Sequence, residues 1–219
     1  MAADLARRLR LLVIADADAA AGRSLVEIVR AALVAGAPAV QLRAKSGTAR
    51  EMLELAFLLR EQTAAASALF FVNDRVDVAL AAGADGAHLG DDDLPLVQAR
   101  QITPPGFLLG RSADSVAAAI QAEQEGADYL GVGSVYATVS KADAGVPIGL
   151  SRIAEAVAAV SVPVVGIGGI DASNAAAVFG AGAAGVAVIR AVLNAGDPVA
   201  ATRALLESPG PPPGARGGG

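Results

Sequence analysis

Residues 69–90 read LFFVNDRVDVALAAGADGAHLG, and this stretch decides the fold. A short apolar run, 69–73, leads into Asn73-Asp74. A segment rich in Ala and Val follows, closes on Gly83-Ala84, and gives way within a few residues to a second run, 86–90. That pattern is strand, helix, strand, with the glycine supplying the left-handed cap of the helix. Gly-Ala recurs at Gly36-Ala37, Gly126-Ala127 and Gly182-Ala183, each time just ahead of another apolar run. Worked outward, the pattern predicts strands at 11–15, 39–43, 69–73, 86–90, 107–112, 129–133, 162–168 and 185–189. Helices are predicted at 24–35, 48–66, 76–82, 94–102, 115–125, 151–160, 174–180 and 198–207, each after a strand. Eight such α/β units with no long insertion fit a single-domain closed (β/α)8 barrel, a TIM barrel, over residues 1–207; an open doubly wound sheet would reuse the same cap and stays as the alternative. The segment 208–219, SPGPPPGARGGG, has nothing to contribute to a core and is expected to be a disordered tail.

The 219 residues are 54% hydrophobic and 18% charged, enough apolar material for a sizeable core. With 17 Lys plus Arg against 22 Asp plus Glu the net charge is -5, which argues against a broad electrostatic grip on nucleic acid or an anionic membrane. An anionic ligand must therefore meet a local basic patch. The lack of Cys excludes a disulfide scaffold, a thiolate metal site and a Cys nucleophile. One His argues against a Ser-His-Asp triad and a multi-His metal site. The opening MAADLARRLR has no long apolar core behind it, so no signal peptide is expected. No apolar stretch reaches the ~18 residues of a membrane span. The expectation is a cytoplasmic enzyme acting on small molecules, and a homo-oligomer is compatible with it.

In a parallel barrel the chemistry gathers at the C-terminal ends of the strands. On the second, side-chain alternation puts Gln41, Arg43 and Lys45 on one face and Val40 and Leu42 on the other. An amide and two cations at the mouth suit an anionic ligand; a solvated strand end is the structural alternative. The third strand ends at Asn73-Asp74 and the fourth at Gly90-Asp91-Asp92-Asp93. Two acids flanked by cations suggest Mg²⁺ shared with a diphosphate, whereas Asn73, Asp74 and Asp93 as helix caps would explain the same residues. His88 has interior parity and reads as a hydrogen-bonded core residue more readily than as a catalyst. The polar stretch 134–149 exceeds an ordinary βα connection and adds Lys141 beside Thr138 and Ser140. After the seventh strand, Gly166-Ile167-Gly168-Gly169 lets backbone N–H groups approach a phosphate, in the loops where such barrels bind one.

These motifs together resemble the thiamine phosphate synthase family. NDRVD at 73–77, GADGAHLGDDDLP at 83–95, QLRAK at 41–45, GADYLGVGSVYATVSK at 126–141 and VVGIGGID at 164–171 carry the resemblance over nearly the whole chain. The resemblance implies a transferase that joins an aminopyrimidine methyl diphosphate to a thiazole phosphate, giving thiamine phosphate and pyrophosphate. It implies that Gln41, Arg43, Lys45 and Asn73 hold the pyrimidine diphosphate and that Asp74 and Asp93 bind Mg²⁺. Ser112 and Lys141 would meet the diphosphate, making them with Arg43 the residues closest to catalysis, while Thr138, Ser140, Gly169, Ile189 and Arg190 would receive the thiazole phosphate. The implied mechanism is dissociative, with charge neutralisation in place of acid-base work. Ala44, Ser140, Arg190 and Ala113-Asp114 depart from the family pattern. Two other readings remain: a thiazole tautomerase or other isomerase using the same phosphate loops, and a ligand-binding barrel without turnover.

Overall fold

The structure, a computed structural model, describes residues 2–20, 22–138 and 146–210. Eight parallel strands are β1 (Leu11–Asp16), β2 (Ala39–Arg43), β3 (Leu69–Asn73), β4 (Gly86–Leu89), β5 (Leu108–Ala113), β6 (Tyr129–Gly133), β7 (Val164–Ile167) and β8 (Gly185–Val188). They pair in sequence order, and β1 closes on β8 to complete a single-domain (β/α)8 barrel. The helices among the described residues are α1 (Ala2–Arg8), α2 (Leu25–Val34), α3 (Ala49–Ala65), α4 (Val76–Ala81), α5 (Leu96–Ile102), α6 (Val116–Gln124), α7 (Gly149–Ala159), α8 (Ala175–Gly180), α9 (Arg190–Leu193) and α10 (Pro198–Glu207). Two of them, α1 and α9, fall outside the predicted set. Both fall outside an alternation of one helix after each strand: α1 precedes β1, and α9 is a second helix between β8 and α10. The seventh strand starts at Val164 because Pro163 has no N–H to give the ladder.

Outward-facing residues such as Val40, Leu42, Phe70, Val72, Leu109 and Leu130 are buried under the helices. The interior is filled unevenly. Tyr129 and His88 are large, and the neighbouring strands leave room for them: a Cβ on Gly110 would lie 2.2 Å from Tyr129 Cζ and 2.5 Å from His88 Nδ1. Phe71 meets the Tyr129 ring edge-on at 5.3 Å between centroids.

The repeated Gly-Ala is a helix terminator at the N-terminal end of the barrel. Gly36, Gly83, Gly126 and Gly182 have φ between 63° and 98°. The N–H of the following Ala reaches back over the last turn, as from Ala84 to the Ala79 carbonyl at 2.9 Å, which is the Schellman arrangement. Ser67 takes the same place after α3, at φ 56°. In two units an Asp follows. Asp85 accepts from Phe70 N and Arg60, and Asp128 accepts from Leu109 N and Arg100, so each carboxylate ties a helix to the start of the preceding strand. At the chain's far end, Ser208 is buried and its carbonyl accepts from Arg10, whose guanidinium lies 4.6 Å over the Phe179 ring. Residues 211–219 of the expected tail lie outside the described residues. No helix among the described residues is long and apolar enough to cross a membrane.

Ser67 is the non-glycine member of the terminator set, so Ser67→Gly is expected to stabilise the fold by about 1 kcal/mol and raise Tm by about 2–4 °C. Thermal melts followed by circular dichroism check this; an unchanged or lower Tm would contradict it.

Candidate active site

Gln41 and Arg43 point into the barrel from β2, as their parity predicts, with Val40 and Leu42 facing the helices. Gln41 is buried. Arg43 is ion-paired with Asp16, its neighbour in register at the end of β1. Asp16 is 1% exposed, and its Oδ1 also accepts from the N–H groups of Asp18 at 3.0 Å and Ala19 at 3.1 Å. The sequence reading ended this strand at residue 15 and missed Asp16. One more residue at the parity of Leu12 and Ile14 would have put it beside Arg43. Lys45, past the strand, reaches Asp74 Oδ2 at 2.5 Å.

Asp74 sits in a left-handed turn at φ 65°, its N–H bonded to the His88 carbonyl at 2.8 Å. Its Oδ1 accepts from Asn73 Nδ2 at 2.5 Å. Asp93 accepts from Gly90 N at 2.6 Å and lies within hydrogen-bonding range of Asp74. Burial, and then the hydrogen bond and charge of Asp74, push the Asp93 carboxyl above the usual range, while Gly90 N–H and Lys45 pull the other way. The helix-cap alternative fails: Arg75 and Pro95 hold the cap positions of α4 and α5, and neither helix has a side-chain cap bond. Arg111 braces the acidic loop by donating to the Gly90 carbonyl and, at 2.8 Å, to Asp91. It escaped the sequence reading because it lies on the outer face of β5.

Two crowded carboxylates form an all-oxygen donor set suited to a hard dication. Among the described residues no group of three or more His, Cys, Asp or Glu gathers, so an ion at this pair would complete its shell from water and ligand oxygens.

Behind this rim a polar line crosses the barrel interior. Gln41 faces the Tyr129 hydroxyl from β2, that hydroxyl lies 3.1 Å from His88 Nδ1, and His88 Nε2 lies 3.0 Å from Ser112 Oγ. Burial drives the Tyr129 hydroxyl far above its ordinary pKa, so it remains a neutral phenol. Gln41, Arg43, Asn73, His88 and Ser112 share a void of about 20 Å³.

Ser112 also lines a cavity of about 790 Å³ over the ends of β4 to β8, together with Thr138, Gly168, Gly169, Ile189 and Arg190. A Cβ on Gly169 would lie 2.5 Å from the Ala137 carbonyl, so the loop after β7 packs on the loop after β6 only as glycine. Asn174 Nδ2 donates to the Gly169 carbonyl at 2.9 Å and steadies that turn. The loop after β6 is drawn together at its base, with Ile148 N bonded to Ser134 O at 2.8 Å. Ser140 and Lys141 lie outside the described residues.

The profile of the family described as thiamine monophosphate synthase matches residues 11–192. The chain belongs to this family. The thiamine-phosphate synthases of Methanoculleus marisnigri and Moorella thermoacetica are each 53% identical to it over 197 residues, 90% of this chain and 93% and 94% of theirs. A solved thiamine phosphate pyrophosphorylase from Pyrococcus furiosus superposes with a TM-score of 0.85 at 46% identity, covering 92% of this chain and 96% of its own. A solved 3-hexulose-6-phosphate synthase, at 19% identity and a TM-score of 0.64 over 90% of this chain and 98% of its own, shares the fold alone. Family membership makes this chain an enzyme.

The raised Asp93 pKa has a sign. The folded protein keeps this proton above the pH at which the unfolded chain releases it, so stability falls as pH rises from the ordinary carboxylate range through the raised value. With a chelator present, Asp93→Asn should therefore melt higher than the parent at pH 7, and the gap should close towards about pH 4. Parallel melts across that range check it; a gap that widens on acidification would reverse the assignment.

Proposed function

We propose that the chain is a thiamine-phosphate synthase, transferring an aminopyrimidine methyl group from diphosphate to the nitrogen of a thiazole phosphate and releasing pyrophosphate. The observation that carries this reading is the convergence of Arg43, Lys45, Asp74 and Asp93 on one rim of a barrel of this family. In this reading Gln41, buried in the barrel interior, binds the pyrimidine. Asn73, Arg43 and Lys45 hold the diphosphate, and Ser112, anchored by His88, meets it from β5. Lys141 adds a further cation from the loop after β6. Thr138 and the backbone at Gly169, Ile189 and Arg190, which line the larger cavity, take the thiazole phosphate together with Ser140.

Asp74 and Asp93 would hold Mg²⁺, which fits their mutual crowding and supplies charge neutralisation to the departing diphosphate. The chain's own work is then positional and electrostatic. Cations set around the leaving group favour cleavage of the carbon–oxygen bond, and the thiazole nitrogen captures the resulting pyrimidine cation. No proton transfer by a side chain is required, in keeping with a chain that has one His and no Cys.

Incubation with both substrates and Mg²⁺ should release pyrophosphate and form thiamine phosphate, and EDTA should stop it. Absence of release beside an active control would overturn the proposal, and turnover of a phosphate substrate indifferent to EDTA would favour an isomerase. Asp74→Ala and Asp93→Ala should each lower turnover on the order of 100-fold, the scale of losing one electrostatic contributor to a transition state. His88→Gln should retain more activity, since Gln can still hydrogen-bond Ser112; equal losses in all three would contradict these roles.

A further inference from the structure

The cation that faces the proposed diphosphate is not free to find its own place. Arg43 Nε is buried without a hydrogen-bond partner, so part of the guanidinium has given up water with no local replacement. What compensates it is one carboxylate, Asp16, at the end of the neighbouring strand. We infer that Asp16 is a positioning residue for Arg43, holding the guanidinium in one orientation at the barrel mouth before the diphosphate arrives.

The geometry supports a fixed clamp rather than an incidental ion pair. Asp16 is itself held, since Oδ1 accepts from Asp18 N and Ala19 N while Oδ2 takes Arg43. Ala17 N donates to the Arg43 carbonyl at 2.9 Å, and the Asp18 carboxylate accepts from the Ser46 hydroxyl. Three consecutive residues at the end of β1 thus grip three points on the segment that carries Arg43 and Lys45. A guanidinium offers donors along more than one edge, so engaging one nitrogen with Asp16 leaves others for an anion. Holding that edge in place beforehand lowers the ordering cost of binding.

The sign of the effect separates this role from its rival. A carboxylate beside an anion site would by charge alone weaken diphosphate binding, so a mere counter-charge should give tighter binding when removed. A clamp should give weaker binding. The inference rests on the proposed role of Arg43, and the test keeps the two apart. Inhibition by pyrophosphate, with Mg²⁺ present, and KM for both substrates would be measured for Asp16→Asn, Arg43→Gln and the double variant.

Asp16→Asn is expected to weaken pyrophosphate about tenfold, to raise KM for the diphosphate substrate similarly, and to leave KM for the thiazole phosphate unchanged. The double variant should be no worse than Arg43→Gln alone, because both changes remove one device. Tighter or unchanged pyrophosphate binding in Asp16→Asn beside a weakened Arg43→Gln overturns the inference and leaves the Arg43 role standing, and so do additive losses. Unchanged binding in Arg43→Gln overturns that role and the inference together. Should Asp16→Asn not fold, Asp16→Glu keeps the charge and shifts it by one methylene; a KM confined to the diphosphate substrate should still rise, and a parental value would overturn the inference.

Discussion

The seam between β1 and β8 is the contact on which everything else depends. A parallel sheet of eight strands has two raw edges unless the first strand meets the last. Here Leu11, Leu12 and Val13 pair with Val186, Ala187 and Val188, and Val186 N reaches the Arg10 carbonyl. The approach is so close that a Cβ on Gly185 would lie 1.8 Å from the Leu9 carbonyl oxygen. Once closed, the ladder leaves the C-terminal strand ends no choice but a common rim. Arg43, Asp74, Asp93 and Ser112 come from four different strand ends, and the Gly169 and Arg190 loops arrive from the other side of the ring.

The two ends of the barrel treat charge in opposite ways. At the N-terminal end each acid is satisfied: Asp85 and Asp128 each accept one backbone N–H and one arginine, and the helices above them finish in hydrogen-bonded terminators. At the C-terminal end two carboxyls crowd each other, an aspartate adopts a left-handed backbone, and an arginine nitrogen is buried unpaired. Features of that kind persist only where the surrounding structure holds them. The stable end is what permits the reactive one.

Much of this was legible in the sequence. Short apolar runs and the recurring Gly-Ala located the eight strands, and strand parity alone turned Gln41 and Arg43 inward. What escaped depended on register, which no single segment encodes. Asp16 matters because it stands opposite Arg43, and Arg111 because its strand passes beside the Gly90 carbonyl. Asn73, Asp74 and Asp93 stayed ambiguous because the same side chains serve caps and ligands equally well; the cap positions of α4 and α5 remove the first role and leave the second as a proposal. Parity also turned His88 inward, while its neighbour Tyr129 was not singled out. Their place in the interior depends on which facing strands withhold a side chain, as Gly110 and Gly131 do.

That last dependence reaches beyond this molecule. Two bulky rings and two absent methyls form a single steric unit distributed over β4, β5 and β6, and no member of it can drift alone during evolution. Among descendants of this barrel, an alanine or larger residue in place of Gly110 ought to travel with a smaller partner where Tyr129 or His88 now stands. Such lineages would have a differently shaped floor beneath the barrel mouth, and with it room for a ligand of different outline.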